Sequence, residues 1–273
     1  MHYLYKFEAM TTPCELHIYH ESKKKADSVA KIVLEEAKRL EKKYNYYKED
    51  SYLSLINQRE VFKLDQESKN LLQRASQYYK KTEKIFDITV ATFKPLYSKN
   101  LSKDELQNQK EMLLPFVGCE RFSIKRDKIS FDNPYTMIDL GGFVKEYAVD
   151  RAVAIIKKHK IKSALVNFGG DIYAIGKKPN KEHFRVGIVD PEDRDKKRLF
   201  VDICDEALTT SASYERFYKI DGEIHSHIFS KDIMINSPKS VTVISPSCVQ
   251  SGVYSTSLMV NPKLKTSLKT IIL

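Results

Sequence analysis

No apolar run in this chain approaches the ~18 residues a membrane-spanning helix needs, so no membrane span is expected. The four cysteines, Cys14, Cys119, Cys204 and Cys248, stand far apart with no metal-ligand spacing. That argues against a disulfide framework or a zinc site and fits buried thiols in a reduced compartment. The start, Met1 to Glu8, has neither the basic opening and apolar stretch of a secretory signal nor a lipid-anchor cysteine, so a cytoplasmic address is expected. No Pro-, Gly- or Ser-rich linker, internal repeat or low-complexity tract divides the sequence. One domain over residues 1–273, possibly of two lobes, is the expectation.

What is present is enough for a large core: 42% of the residues are hydrophobic and 11% aromatic. The formal charge of +10 would attract nucleic acid, an acidic membrane or phosphorylated small molecules. Short basic runs such as Lys23-Lys24-Lys25, Lys157-Lys158 and Lys177-Lys178 lack the interleaved aromatics that single-stranded nucleic acid prefers. They read as solvated surface, and no nucleic-acid partner is expected.

Periodicity supplies the elements. Leu16 and Ile18 alternate with polar neighbours from Cys14 to His20, as in a half-buried strand. Ser22 then caps a helix whose stripe is Ala26, Val29, Ala30, Val33, Ala37, Leu40 and Tyr44. A second helix is predicted over about 66–81, with Leu71, Leu72, Ala75 and Tyr78 inward. A hairpin turning at Arg126-Asp127 is predicted for 121–131, and a helix for about 143–159. Residues 163–166, 184–189, 199–203 and 241–244 read as strands, and 214–218 with 223–229 flank an Asp221-Gly222 turn. Tyr97 to Met112 reads as a surface loop with a helical piece. The fold class is therefore α+β, with mixed, largely antiparallel sheets flanked by helices.

Four of the nine glycines stand in two pairs. Gly141-Gly142, after Asp139, opens the helix that carries Lys145; paired glycines admit close backbone approach, and exposed helix amides favour anionic oxygens. A strand-to-helix connection with a capping residue would look the same. The second pair lies in Asn167-Phe168-Gly169-Gly170-Asp171. Further on, Thr209, Thr210 and Ser211 precede Arg216, so hydroxyls and a guanidinium could face one ligand, although turn chemistry also explains hydroxyls. His225 and His227 share a strand face, which permits metal or general-base work as well as an ordinary surface or core position.

In order along the chain, residues 9–14, 47–57, 82–90, the Asp139 segment, 167–171, Thr210-Ser211 with Tyr214 and Arg216, His227 and Ser255-Thr256 resemble the FAD:protein FMN transferases, the ApbE family. The resemblance covers nearly the whole chain. It implies a single ApbE-like flavin-binding domain and a cleft that takes FAD and Mg²⁺. There the diphosphate is split, FMN passes to a Thr or Ser hydroxyl of an acceptor protein, and AMP leaves. It also implies roles. Met10 and Tyr47 match flavin-pocket positions, Asp87 belongs to the motif at 82–90, and Gly141, Gly142 and Lys145 match the phosphate-facing turn and lysine. Asp171 matches the acid of the second glycine turn, and Thr210 and Ser211 match the flavin-binding loop, with Arg216 beside them. His227 matches the general base toward the acceptor, while the Val144 carbonyl and Thr256 match metal ligands.

The chain departs from the family pattern at the metal. The pattern Asp-x-x-Ser-Thr is here Gly252-Val253-Tyr254-Ser255-Thr256, and Lys-Gly is Lys145-Glu146. His-x-x-Asp-Pro is His227-Ile228-Phe229-Ser230-Lys231, Thr-Ser-Gly is Thr210-Ser211-Ala212, and Thr-Gly-Gly is Thr82-Glu83-Lys84. Glycine offers no carboxylate, and Mg²⁺ favours one or two. Asp171, Glu146 or Asp232 would have to substitute, and restoring Asp at 252 is expected to raise metal affinity. The alternatives to a Mg-dependent transferase are an FAD pyrophosphatase and a catalytically impaired FAD-binding protein that stores or delivers flavin.

Overall fold

The computed structural model describes residues 1–99, 101–212, 217–220, 223–226 and 238–273. His227, Arg216, Tyr214, Ser230, Lys231 and Asp232 lie outside the described residues.

A seven-stranded sheet runs through the molecule in the order β1 (His2–Ala9), β2 (Thr12–Tyr19), β5 (Ala164–Phe168), β6 (Asp171–Ile175), β9 (Ala207–Ala212), β12 (Ser240–Ser245), β13 (Lys269–Ile272). Every neighbouring pair is antiparallel. Because side chains alternate across a strand, each strand addresses two different cores. One face is covered by α1 (Lys23–Lys43), α5 (Gly141–Lys158) and α6 (Cys248–Val260). Toward that side point Leu16 and Ile18 of β2, Val166 and Phe168 of β5, and Tyr173 and Ile175 of β6. On the other side Ile172, Ala174, Leu208 and Ile244 pack against the ribbon of β7 (Phe184–Val189) and β8 (Lys197–Ile203).

The stripe on α1 is buried as its spacing predicts, and Ser22 caps it by accepting from the Lys25 N–H at 3.3 Å. Helix α3 spans Gln66–Lys81, capped by Asp65. The hairpin of β3 (Phe122–Lys125) and β4 (Lys128–Phe131) turns at Arg126-Asp127. These pieces, with α2 (Tyr52–Asn57) and the 3-10 stretch Ile88–Ser98, form the second body of side chains joined to the same core. Tyr97 to Met112 is more helical than a loop: α4 covers Lys103–Leu113 behind a Ser102–Glu105 capping box, with Leu106 buried. Strands β10 (Phe217–Ile220) and β11 (Glu223–Ser226) pair across residues 221–222, and His225 lies in β11.

Among the described residues, six strands and α-helices have no counterpart among the expected ones, β1, α2, β6, β9, α6 and β13, and neither has the 3-10 stretch Ile88–Ser98. Thr209 to Ser211 stand within strand β9. No described helix is long and apolar enough to cross a membrane. All four cysteines are free thiols, three of them buried.

Candidate functional site

The site is built where α5, α6 and one end of the central sheet meet. The approach to α5 is held by Asp139. Its Oδ1 accepts the Gly141 N–H at 2.9 Å, and its Oδ2 pairs with the Lys94 ammonium. Lys94 also donates to the Tyr47 hydroxyl at 3.3 Å and lies over the Tyr46 and Tyr47 rings. A line of contacts thus joins Tyr47, which is 74% exposed, to the first residue of α5. Leu140, at the N-cap, makes no side-chain hydrogen bond, and nothing lies within 4 Å of where a Cβ on Gly142 would stand. The first amide of α5 is thus capped by Asp139 and the Phe143 and Val144 amides bond to the Leu140 carbonyl, which leaves the backbone at Gly142 (φ −86°, ψ 19°), where the helix is broken, as the open point of this start.

The second glycine pair does a different job. Gly169 (φ 60°) and Gly170 (φ 91°) form the two-residue turn between Phe168 and Asp171, joining β5 to β6. A Cβ on Gly169 would stand 2.0 Å from the Thr12 Oγ1, so this turn is pressed onto the β1–β2 hairpin. The tip of that hairpin, Met10 (φ 55°) and Thr11 (φ 57°), is in the left-handed region without glycine. Met10 and the Asn167 to Asp171 motif, far apart in sequence, are thereby adjacent.

Asp171, at the first position of β6, faces the helices. Its Oδ2 is 2.8 Å from the Lys145 ammonium, and Thr209, on the same face of the neighbouring strand β9, stands beside the carboxyl. Burial raises the Asp171 pKa, opposed by Lys145 and Thr209. The Thr209 Oγ1 is 2.9 Å from the Ser251 Oγ on α6. Two residues along the same strand face, the Ser211 hydroxyl is 2.8 Å from that of Ser255 and 3.2 Å from that of Thr256. The structure therefore places two polar clusters side by side between β9 and α6, Lys145 with Asp171 beside Thr209 and Ser251, and Ser211 with Ser255 and Thr256. It separates Thr210 from Ser211: Thr210 points to the opposite face and bonds Thr242 at 2.7 Å. Asp87 caps the 3-10 stretch, accepting from the Thr89 N–H at 2.9 Å and from its hydroxyl.

Helix α6 is anchored by α5 directly. Asp150 accepts the Cys248 N–H at 2.7 Å and the Val249 N–H at 3.2 Å, so a carboxylate on one helix caps the other. Between them sits Glu146, buried at 6% exposure on the face of α5 that carries Phe143 and Val149. Burial and the nearby Asp171 charge push its carboxyl up to about 8, against the pull of Lys145. Its Oε2 has no hydrogen-bond partner among the described residues. Among those residues, no group of three or more His, Cys, Asp and Glu could hold a metal by such side chains alone.

A glycine-opened helix start, a lysine locked to the Asp171 turn and hydroxyls converging from β9 and α6 are the motifs of one family gathered at one place. A family model, described as the ApbE family, matches residues 10–270. The chain belongs to the ApbE family. A protein of Vibrio cholerae called FAD:protein FMN transferase is 27% identical over 228 residues, 78% of this chain and 67% of that relative. One from Chlamydia pneumoniae with the same name is 29% identical over 235 residues, 79% of this chain and 71% of that relative. The solved structure of the ApbE protein from Thermotoga maritima superposes with a TM-score of 0.88 at 24% identity, covering 100% of this chain and 94% of that one.

Within this ApbE chain, the sequence reading overlooked Lys94 and Asp150 and left Glu146 as one of three substitute acids. A signal for Glu146 existed: it sits three residues after Phe143 and three before Val149, on a register otherwise apolar. The expectation for Gly252 needs correcting. A Cβ there would stand 2.5 Å from Glu146 Cγ, so Asp cannot simply be restored while Glu146 is in place. Of the three candidate acids, Asp171 is paired with Lys145 and Asp232 lies outside the described residues, which leaves Glu146, whose Oε2 is one of the buried acid oxygens without a hydrogen-bond partner.

Proposed function

We propose that this ApbE-family chain is a Mg²⁺-dependent FAD:protein FMN transferase, splitting FAD and passing FMN to a Thr or Ser hydroxyl of an acceptor protein with release of AMP. The observation that supports this most is the placing of the Lys145–Asp171 pair and the Ser211–Thr256 hydroxyl pair on neighbouring positions of the same β9 and α6 faces, close to the start of α5. Lys145 is a point charge for the diphosphate, and Asp171 with Thr209 fixes where that charge stands. The backbone at Gly142, with no Cβ to crowd it, is assigned to the same anion. Met10, Tyr47 and Ser211 are assigned to the flavin, with Asp87 holding the segment behind it, whereas Thr210 is on the opposite face of β9 and is not. His227 and Arg216, outside the described residues, are assigned as general base and ligand contact.

The donors present suit a hard cation: an orphaned buried carboxylate oxygen on Glu146 and hydroxyls on α6, all oxygen. The Val144 carbonyl and the Thr256 hydroxyl are proposed to hold it. When bound, the ion neutralises diphosphate charge and polarises the phosphoryl under attack. Four unpaired thiols accompany a cytoplasmic assignment.

The test incubates purified protein with FAD and Mg²⁺, with and without an acceptor carrying an exposed Thr, and follows AMP and covalent flavin. Flavin on the acceptor with stoichiometric AMP is the expected result. AMP with free FMN and an unmodified acceptor would make it a pyrophosphatase, and tight FAD binding with no AMP a flavin carrier.

A further inference from the structure

Glu146 and Gly252 face each other across the contact between α5 and α6. A Cβ built on Gly252 would meet Glu146 at Cγ (2.5 Å), Cδ (3.0 Å) and Oε1 (3.0 Å). An aspartate carries its carboxyl directly on that Cβ. The Glu146 carboxyl therefore occupies the volume that an acid on α6 at position 252 would fill, reaching it from the other helix. Thr256 lies four residues beyond Gly252, one turn further along the same face of α6. Val144 lies two residues before Glu146.

Three further facts set Glu146 apart from a packing residue. It is buried, it sits in a position whose helical register is apolar, and its Oε2 finds no partner among the described residues. A buried polar atom left unsatisfied is destabilising, a cost that a leucine or methionine there would avoid. The neighbouring charges are one ammonium and a second carboxylate, Lys145 and Asp171, already 2.8 Å apart. Asp150, the next acid along α5, is spent on the Cys248 and Val249 amides.

We propose that Glu146 is the carboxylate ligand of the divalent-cation site in this chain, delivered from α5 in exchange for the acid missing from α6, and that Gly252 is there to admit it. The ligand set is then the Glu146 carboxylate, the Val144 carbonyl and the Thr256 hydroxyl, completed by phosphate oxygens and water. This rests on the reading of the chain as a metal-using flavin transferase.

The test measures Mn²⁺ binding to the full chain by electron paramagnetic resonance and calorimetry, with and without FAD, for wild type, Glu146→Gln, Gly252→Asp and the exchange Glu146→Gly with Gly252→Asp. FAD affinity in EDTA and circular-dichroism melting are recorded for each. Glu146→Gln should weaken Mn²⁺ by at least about tenfold, the loss that even a residue supporting a ligand brings, while still folding and binding FAD. The exchange should recover affinity to within a few-fold of wild type, and Gly252→Asp alone should not exceed it. Undiminished Mn²⁺ binding by Glu146→Gln overturns the assignment. So does a folded, FAD-binding wild type that takes up no Mn²⁺. Failure of the flavin reading shows itself separately, as absence of FAD binding in every variant.

Discussion

The Lys145 ammonium, in the first turn of α5, is bound at 2.8 Å to a carboxylate 98% withdrawn from solvent, that of Asp171 at the start of β6. Neither residue is well placed without the other. Lys145→Met leaves a buried acid uncompensated and should lower stability by about 3 kcal/mol in chemical denaturation. Adding Asp171→Asn to that variant should recover most of the loss, and a double-mutant cycle measures how much.

Gly252 is predicted to be intolerant for a reason local to one neighbour. Gly252→Ala should cost about 1–3 kcal/mol by overpacking. In a Glu146→Ala background the cost should vanish, because the atom 2.5 Å from the new Cβ is gone. Urea midpoints of the four proteins decide it.

Gly169→Ala combines a backbone at φ 60° with a contact of 2.0 Å to Thr12 Oγ1. It should destabilise by about 1–3 kcal/mol and displace the Met10 hairpin. Gly142→Ala, with open space at its Cβ and a negative φ, should melt near wild type. Thermal melting of the pair separates a steric glycine from one retained for the approach of a ligand.

Acid sensitivity should trace to the pairs between α1 and α3. Burial would raise the Glu67 carboxyl, but Arg39 and Lys43 hold it at about 2. A depressed folded-state pKa gives stability that is full above the ordinary glutamate value of 4.5 and is lost as pH falls toward 2. Glu67→Gln should flatten the stability curve in that window and leave its shape above pH 6 unchanged.

The parts of this fold legible in sequence are those with a face. The α1 stripe, the α3 boundaries and the Arg126-Asp127 hairpin follow from periodicity and caps because one side meets water. Helix α6 was invisible for the opposite reason. Nine of its thirteen residues are buried, and its serines, glycine and β-branched residues lower helix propensity, so neither period nor composition marks it. β6 is buried at all five positions and likewise shows no alternation. β1 did alternate, with Tyr3, Tyr5 and Phe7 turned to the core. At the site, motifs identified Lys145, Asp171, Ser211 and Thr256, whereas the opposition of Glu146 to Gly252 and the two-faced placement of Thr210 and Ser211 depend on strand register and helix packing.

The Glu146–Gly252 contact also bears on descent. Glutamate at one position and aspartate at the other collide, so a lineage moving between the two arrangements cannot pass through the doubly acidic form without strain. It must cross a state with neither acid. Relatives should accordingly fall into two groups, one with the acid after the lysine and one with it on the last helix, and a scan that scores position 252 by itself would mistake the first group for lost enzymes.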